Sequence, residues 1–468
     1  MTANIILDTD SYKQSHHLQD PPGTTHKSFY ITARGNPDTD CEVAFLGLQP
    51  YIENMRINAQ NIEEAQDVIP KHIPGLEFNF DGWQTILNEF DGFLPIAIDA
   101  LPEGTVVERG TPMLQTHNTD PRFPWLCGHQ ETRMLRSIWY PSTVGTKSRG
   151  YRRLIEEALR KTGGDVDSAV FKLHDFGARG VSSRESSAIG GWAHLTSFQG
   201  TDTMMALLHA RQYYNCDMAG FSIPASEHST MACWGEGREV EAYRHMLETF
   251  GHTMFGTVSD TWDIENACTN VWGNTLRDEV IAILGQLVVR PDSGAVIPMV
   301  LDCLDRLGVQ FGITFNNDGF KMLHDKVRLI QGDGLDDTSL PLLIGAIADA
   351  LWSLDNTAFG MGGGLLQKHN RDDYKWAMKC NAISYGDEVW HGVNKEPKSD
   401  PGKASAKGRA WVSQENHVWY SSRHQLLSFE EDTNPVFPNA LITHYVNGFT
   451  TIDGDMEAIR ERVAQDVR

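Results

Sequence analysis

The chain is poor in cations, in paired cysteines and in long apolar runs, and each shortage removes a class of function. Lys and Arg number 40 against 62 Asp and Glu, a net charge of -22 that would repel a nucleic-acid duplex or an anionic membrane surface. Neither is expected as a partner. A phosphate site in such a chain must be built locally, from backbone N–H groups and a few placed Arg or Lys residues, so each of those is informative. The seven cysteines (Cys41, Cys127, Cys216, Cys233, Cys268, Cys303, Cys380) are scattered, odd in number and without a C-x-x-C pair. That argues against a zinc site and a disulfide framework. No stretch approaches 18 apolar residues and the start, MTANIILDTD, lacks a basic region, so neither a membrane span nor a signal peptide is expected and the location is read as cytoplasmic.

What is present is an ordinary globular composition, 40% apolar and 22% charged over 468 residues, enough for two or three domains. From about residue 146 onward one event recurs: a short β-branched or aromatic run ends in a polar or glycine cluster, and a helical pattern follows. The runs are AVFKLHDFG, AGFSIPASEH, GTVSDTWD, LVVRPDSG, VRLIQGDG, AFGMGGG and MKCNAISYG. Between them lie apolar residues at helical spacing, such as Val240, Tyr243, Leu247 and Phe250, then Val296, Val300, Leu304 and Leu307. This alternation predicts an α/β fold with parallel strands. Because the polar clusters follow many different strands, a TIM-like α/β barrel is favoured over an open sheet. The barrel is assigned to residues 148–395, entered through a helix at Tyr151–Leu159 that stops at Gly163. A second, α+β domain is assigned to residues 1–147 together with 396–468. The stretch 395–409, rich in Pro, Gly, Ser and basic residues, reads as a mobile loop. Strand-like runs WVSQENHVWYSS and ALITHYVNGFTT follow it, then a helix in DMEAIRERVAQDV.

Each motif has a chemical and a bland reading. The glycines around Met361 (Gly360, Gly362, Gly363, Gly364) would let backbone N–H groups approach a phosphate, or form only a tight turn; their spacing is neither a Walker loop nor a dinucleotide fingerprint. Arg371 could reach the same anion. Asp292 in RPDSG and Asp333 in QGDG each stand just past a strand, suited to sugar hydroxyls or Mg²⁺, or to bonding their own backbone in a turn. His228 in SEH is a general acid, a nucleophile or a turn residue. His174 reads as a hydrogen-bonded core histidine, and Phe176 as core or as a stacking face. Asp10 and Tyr12, in DTDSYK, say nothing alone.

In order and spacing, TDSYK, KLHDFGARG, FQGTDT, SIPASEHST, VSDTWDI, VRPDSG, IQGDG and GGGLLQK resemble the nicotinamide phosphoribosyltransferase family over nearly the whole chain. The resemblance implies transfer of phosphoribosyl from phosphoribosyl pyrophosphate to nicotinamide, in a homodimer with shared active sites. It implies ring stacking between Phe176 of one chain and Tyr12 of the other, with Asp10 nearby, and a hydrogen bond from the carboxamide to Asp202. A ring carboxylate would be repelled there. Arg179, Ser259 and Arg290 join the substrate pocket, Asp292 and Asp333 the ribose contacts, and Gly332, Gly362, Gly363 and Arg371 the phosphate site. Arg34, Lys379 and Lys395 are assigned to pyrophosphate or ATP. His228 would be phosphorylated by ATP and paired with Asp263, and Mg²⁺ is implied with the diphosphate. Ala178, Trp262 and Met361 depart from the family's usual residues. The alternatives are nicotinate phosphoribosyltransferase and a non-catalytic nucleotide-binding protein on the same fold.

Overall fold

The computed structural model describes residues 4–34, 42–387, 389–399, 403–413, 418–421, 423–425, 438–451 and 454–465. Cys41, residues 400–402 of the basic loop, 414–417 and 422 of the run WVSQENHVWYSS, and 466–467 of the last helix lie outside them. The chain divides into two compact units: residues 1–146, 213–215 and 370–468 form the first, and residues 147–212 and 216–369 the second.

The first unit is built on an antiparallel sheet of eight strands. In spatial order they are Arg423–Gln425, Val389–Gly392, Trp376–Ser384, His26–Ala33, Leu114–Asn118, Ile96–Ala100, Ile442–Val446 and Phe449–Thr450. Trp83, Trp125 and His129 pack edge to face in its core, Trp83 lying 4.9 Å from Trp125 and 5.0 Å from His129. The TDSYK segment is ordered because it is fastened. Lys13 is buried and its Nζ donates to Gly128 O (3.1 Å) and to Glu131 (2.6 Å), while Gln14 donates to Ile6 O. Those bonds hold the 3₁₀ helix Ser11–Leu18. Residues 370–395, expected in the barrel, lie in this unit instead. The run MKCNAISYG is no parallel strand: Trp376–Ser384 pairs antiparallel with His26–Ala33 along most of its length.

The second unit carries six parallel strands, in the order Gly200–Thr201, Leu173–Asp175, Thr357–Met361, Val327–Gln331, Gln286–Arg290 and Met254–Val258. This is a half-barrel, and the full TIM barrel expected from the sequence is not formed among the described residues. The difference is local. The segment Phe221–Ser226 reaches both sheet edges, bonding Thr201 on one side and Gly256 on the other, yet it makes only isolated bridges. Pro224 within it has no N–H to donate, which limits a regular ladder. The helices follow the apolar spacing read above: Glu239–Phe250 buries Tyr243 and Leu247, and Val296–Phe311 buries Val300, Leu304 and Leu307. The entry helix starts twenty residues earlier than expected, running Glu131–Lys161 with Pro141 inside.

Candidate active site

In the second unit, the segments that follow the strands converge on one cavity of about 520 Å³. Phe176, Arg179, Asp202, His228, Arg290, Asp292, Gly332, Asp333, Gly362 and Gly363 all line it. Ten residues singled out from sequence are thus brought together. Parallel strands explain this, because all six present their C-terminal ends on one side.

The glycine run divides by role. A Cβ on Gly360 would lie 2.0 Å from Phe176 Cε2, and one on Gly364 would lie 2.4 Å from Leu335 O. Those two are packing glycines. Gly363 has nothing within 4 Å of a Cβ position, and Gly362 meets only Phe176 backbone, so these two offer bare backbone to the cavity. The following helix, Gly363–Leu366, is a single turn. Gly332 serves a close approach, since its Cβ would meet the Arg290 guanidinium at 3.1 Å.

Arg290 links the parts. Its Nη2 and Nε donate to Asp292 Oδ1 at 2.7 and 3.0 Å, and its guanidinium carbon lies 5.3 Å from the Phe176 ring centroid. His228 opens the short helix His228–Ala232 after Glu227, which caps it. Its Nε2 is 3.0 Å from Asp260 Oδ1 and its Nδ1 is 3.8 Å from Asp292 Oδ2. Asp260 is nearly buried, and its other oxygen accepts the Asp292 N–H at 3.0 Å. The carboxylate beside His228 is therefore Asp260 and not Asp263. Asp263 is occupied as the N-cap of Ile264–Asn266, accepting the Asn266 N–H at 3.0 Å. Ser259 also differs from its reading. It is fully buried, donates to Thr257 O and accepts from Trp272 Nε1, and does not line the cavity. Asp202 accepts a hydrogen bond from Ser222, and Arg179 is exposed, 3.9 Å from Glu227.

Phe176, Asp202 and Arg290 also line a second cavity of about 580 Å³, together with Phe171, Val288 and Ile330. Sequence reading missed Lys172 on its wall. Burial pulls the Lys172 ammonium down to about 8, and it donates to the carbonyls of Leu354, Asp355 and Thr357. His174 is hydrogen-bonded to Phe171 O as expected, but it is half-buried and lines this second cavity instead of lying in the core.

The remaining candidates belong to the first unit. Tyr12 is exposed, and Asp10 Oδ2 accepts from Thr132 at 2.6 Å. Lys379 sits opposite Tyr30 in the central strand pair. Burial lowers its pKa, the Glu131 carboxylate opposes that, and the charges of Arg34, Lys395 and Arg371 lower it further, so four cations share one neighbourhood with a single carboxylate among the groups acting on Lys379. Arg34 donates to Lys375 O and Arg371 to Trp376 O. The base of the basic loop is pinned where Lys395 and Ser405 bond each other and Ala406 N–H reaches the Tyr30 hydroxyl.

A parallel half-barrel with carboxylates, a histidine, an arginine and bare glycines at its strand ends is the arrangement of an α/β enzyme. Residues 171–445 match the nicotinate phosphoribosyltransferase (NAPRTase) family, and residues 4–98 match the N-terminal domain of nicotinamide phosphoribosyltransferase. A nicotinamide phosphoribosyltransferase of Xanthomonas campestris pv. campestris is 42% identical over 463 residues, covering 98% of this chain and 97% of the relative. One of Acinetobacter baylyi is 29% identical over 510 residues, covering 99% and 98%. The chain belongs to the nicotinate phosphoribosyltransferase family. Solved structures agree at the level of fold: a nicotinate-nucleotide pyrophosphorylase from Pyrococcus furiosus has a TM-score of 0.60 at 16% identity, covering 98% of this chain and 94% of that one. Human nicotinic acid phosphoribosyltransferase has a TM-score of 0.57 at 14%, covering 97% and 92%. Among the described residues, no helix is long and apolar enough to cross a membrane.

Proposed function

We propose that this chain is a nicotinamide phosphoribosyltransferase, joining nicotinamide to phosphoribosyl pyrophosphate and releasing nicotinamide mononucleotide and pyrophosphate in NAD salvage. The observation that carries the reading is Asp202, a carboxylate lining the same cavity as the Phe176 ring and Arg290. A carboxylate accepts the N–H₂ of a ring carboxamide and repels a ring carboxylate. The names of the relatives at 42% and 29% identity support the same substrate.

In this reading Phe176, seated on Gly360, stacks on the pyridine ring, and the neutral ring nitrogen attacks the anomeric carbon without a general base. Asp292 and Asp333 hold the ribose hydroxyls and offset the positive charge that develops on the sugar. The backbones of Gly332, Gly362 and Gly363 face the ribose phosphate, and Arg34, Arg371, Lys379 and Lys395 bind diphosphate or ATP. Asp292 and Asp333 are hard-oxygen ligands in one cavity. With no cluster of three metal-binding side chains among the described residues, they fit Mg²⁺ brought in on the substrate diphosphate. Bound there, the ion would neutralise charge on the departing pyrophosphate. Asp260 holds one nitrogen of His228, leaving the other to take a phosphoryl group from ATP, which would stimulate the reaction. The enzyme is proposed to act as a cytoplasmic homodimer in which Asp10 and Tyr12 of a second copy complete the ring subsite.

The test is mononucleotide formation from phosphoribosyl pyrophosphate and Mg²⁺, with nicotinamide and nicotinate offered in parallel to the native chain and to Asp202→Ala. Product from nicotinamide alone, with the preference eroded in the variant, is expected. Product mainly from nicotinate would move the chain to the other activity of its family, and none from either would leave a binding protein.

A further inference from the structure

Asp175, a buried carboxyl that the proposed reaction does not use, adjoins both residues assigned to the nicotinamide ring. It ends the strand Leu173–Asp175 and is fully buried. Its Oδ1 accepts the Gly177 N–H at 2.7 Å, closing the turn that carries Phe176. Its backbone carbonyl accepts the Asp202 N–H at 3.0 Å. The hydroxyls of Thr201 and Thr203, which flank Asp202, face the same carboxyl, although Asp175 Oδ2 and Thr203 Oγ1 lack a well-aligned hydrogen bond to any described residue. The helix Arg184–His194 packs close on this contact: a Cβ on Gly191 would lie 2.9 Å from Asp175 Oδ2 and 3.0 Å from Thr203 Cγ2. One residue is thus the common anchor of two turns that leave different strands.

We infer that Asp175 is the positioning residue of the ring subsite, fixing Phe176 and Asp202 relative to one another through its carboxyl and its carbonyl. The inference rests on the proposed ring-binding roles of those two residues. Burial, with the charge of Asp202 adding to it, pushes the Asp175 carboxyl up to about 6. A group so unfavourable to bury is retained where an apolar side chain would pack at lower cost. Ring binding needs that placement, because a binding constellation works only when its groups are held within about 0.5 Å of the productive geometry.

The experiment is steady-state kinetics of the full chain with each substrate varied in turn, for the native protein, Asp175→Ala and Asp175→Asn. Asparagine keeps an oxygen for the Gly177 N–H and is expected to hold the nicotinamide KM within about threefold; alanine, which keeps the carbonyl that Asp202 N–H reaches but releases the turn carrying Phe176 and empties the space the Thr201 and Thr203 hydroxyls face, is expected to raise it about tenfold or more. For alanine, kcat and the phosphoribosyl pyrophosphate KM should stay within about twofold of native. A purely structural role would reduce the folded fraction and leave KM untouched. An unchanged nicotinamide KM in Asp175→Ala, an equal rise for both substrates, or Asp175→Asn as impaired as Asp175→Ala would each overturn the inference. If circular dichroism shows Asp175→Ala unfolded, Asp175→Ser, too short to reach Gly177, carries the same expectation. Failure of both to fold would reduce Asp175 to a folding residue and also overturn it. A native chain that forms no product would refute the activity reading instead.

Discussion

Replacing Gly360 by alanine would put a methyl carbon 2.0 Å from Phe176 Cε2 and 2.2 Å from Cδ2, far inside contact distance. The strand Thr357–Met361 is held by parallel neighbours on both sides, so the ring is the part that can move. Keeping it in place would cost about 1 to 3 kcal/mol of overpacking. Swinging it into the cavity forfeits a stacking contact worth about 0.5 to 1.5 kcal/mol beyond burial, and also its place beside Arg290. The nicotinamide KM is therefore expected to rise about two- to tenfold. Gly363→Ala is the matched control, because nothing lies within 4 Å of its added methyl. Its stability should change by no more than about 0.5 kcal/mol and its nicotinamide KM not at all, while the phosphoribosyl pyrophosphate KM rises as the methyl meets the phosphate. Initial rates with each substrate varied in turn, together with thermal melts, separate the two variants. Gly360→Ala with native Tm and native nicotinamide KM would refute the packing argument; a rise in the same KM for both variants would refute the division of the glycine run.

The two aspartates near His228 should respond differently: Asp260→Ala should abolish ATP stimulation, measured as the ratio of rates with and without ATP. Asp263→Ala should keep that stimulation and lose about 1 kcal/mol of helix-cap stability, read from denaturant melts. Lys379→Met should raise the KM for phosphoribosyl pyrophosphate and ATP and spare that for nicotinamide, since Arg34, Lys395 and Arg371 outnumber the Glu131 carboxylate in the field at Lys379, which favours an anion over a neutral ring. The Asp175 carboxyl, raised from 3.8 to about 6, favours the folded state below its unfolded pKa, and that contribution is lost as pH rises through about 6. The shift corresponds to about 3 kcal/mol. Melts of Asp175→Asn should therefore gain on the native chain between about pH 4 and pH 6 and level off above that, and a pH-independent difference between the two would sink the assignment.

The α/β alternation was legible because helix and strand periods differ, and the strand residues read from AVFKLHDFG, GTVSDTWD, LVVRPDSG, VRLIQGDG and AFGMGGG all lie in the one parallel sheet. Two runs misled. MKCNAISYG has the same local pattern as a barrel strand, but its partner is His26–Ala33, some 350 residues away in sequence, and no local signal encodes that pairing. AGFSIPASEH shows its proline openly, yet whether such a segment forms a ladder or isolated bridges depends on the two edges it meets. The long helix Glu131–Lys161 was seen only from Tyr151 on, because Pro141 reads as a breaker unless tertiary packing overrides it.

The cavity lining was more legible than the fold, although Ser259 and Asp263 were both misplaced and the second error is instructive. Asp260, Asp292 and Asp333 each stand two residues past the last residue of a strand, after Val258, Arg290 and Gln331 respectively, and those three strands are neighbours in the sheet. Equal offset on adjacent parallel strands puts the side chains side by side at the rim. The register makes this concrete, since Val258 lies opposite Arg290 and Asp260 accordingly reaches the Asp292 N–H. Asp263 stands five residues past its strand, beyond the rim and at the start of the next helix, where an aspartate caps. In VSDTWD the two carboxylates look equivalent as text. Counting from the strand end separates them, and the same count applied to RPDSG and QGDG selects Asp292 and Asp333.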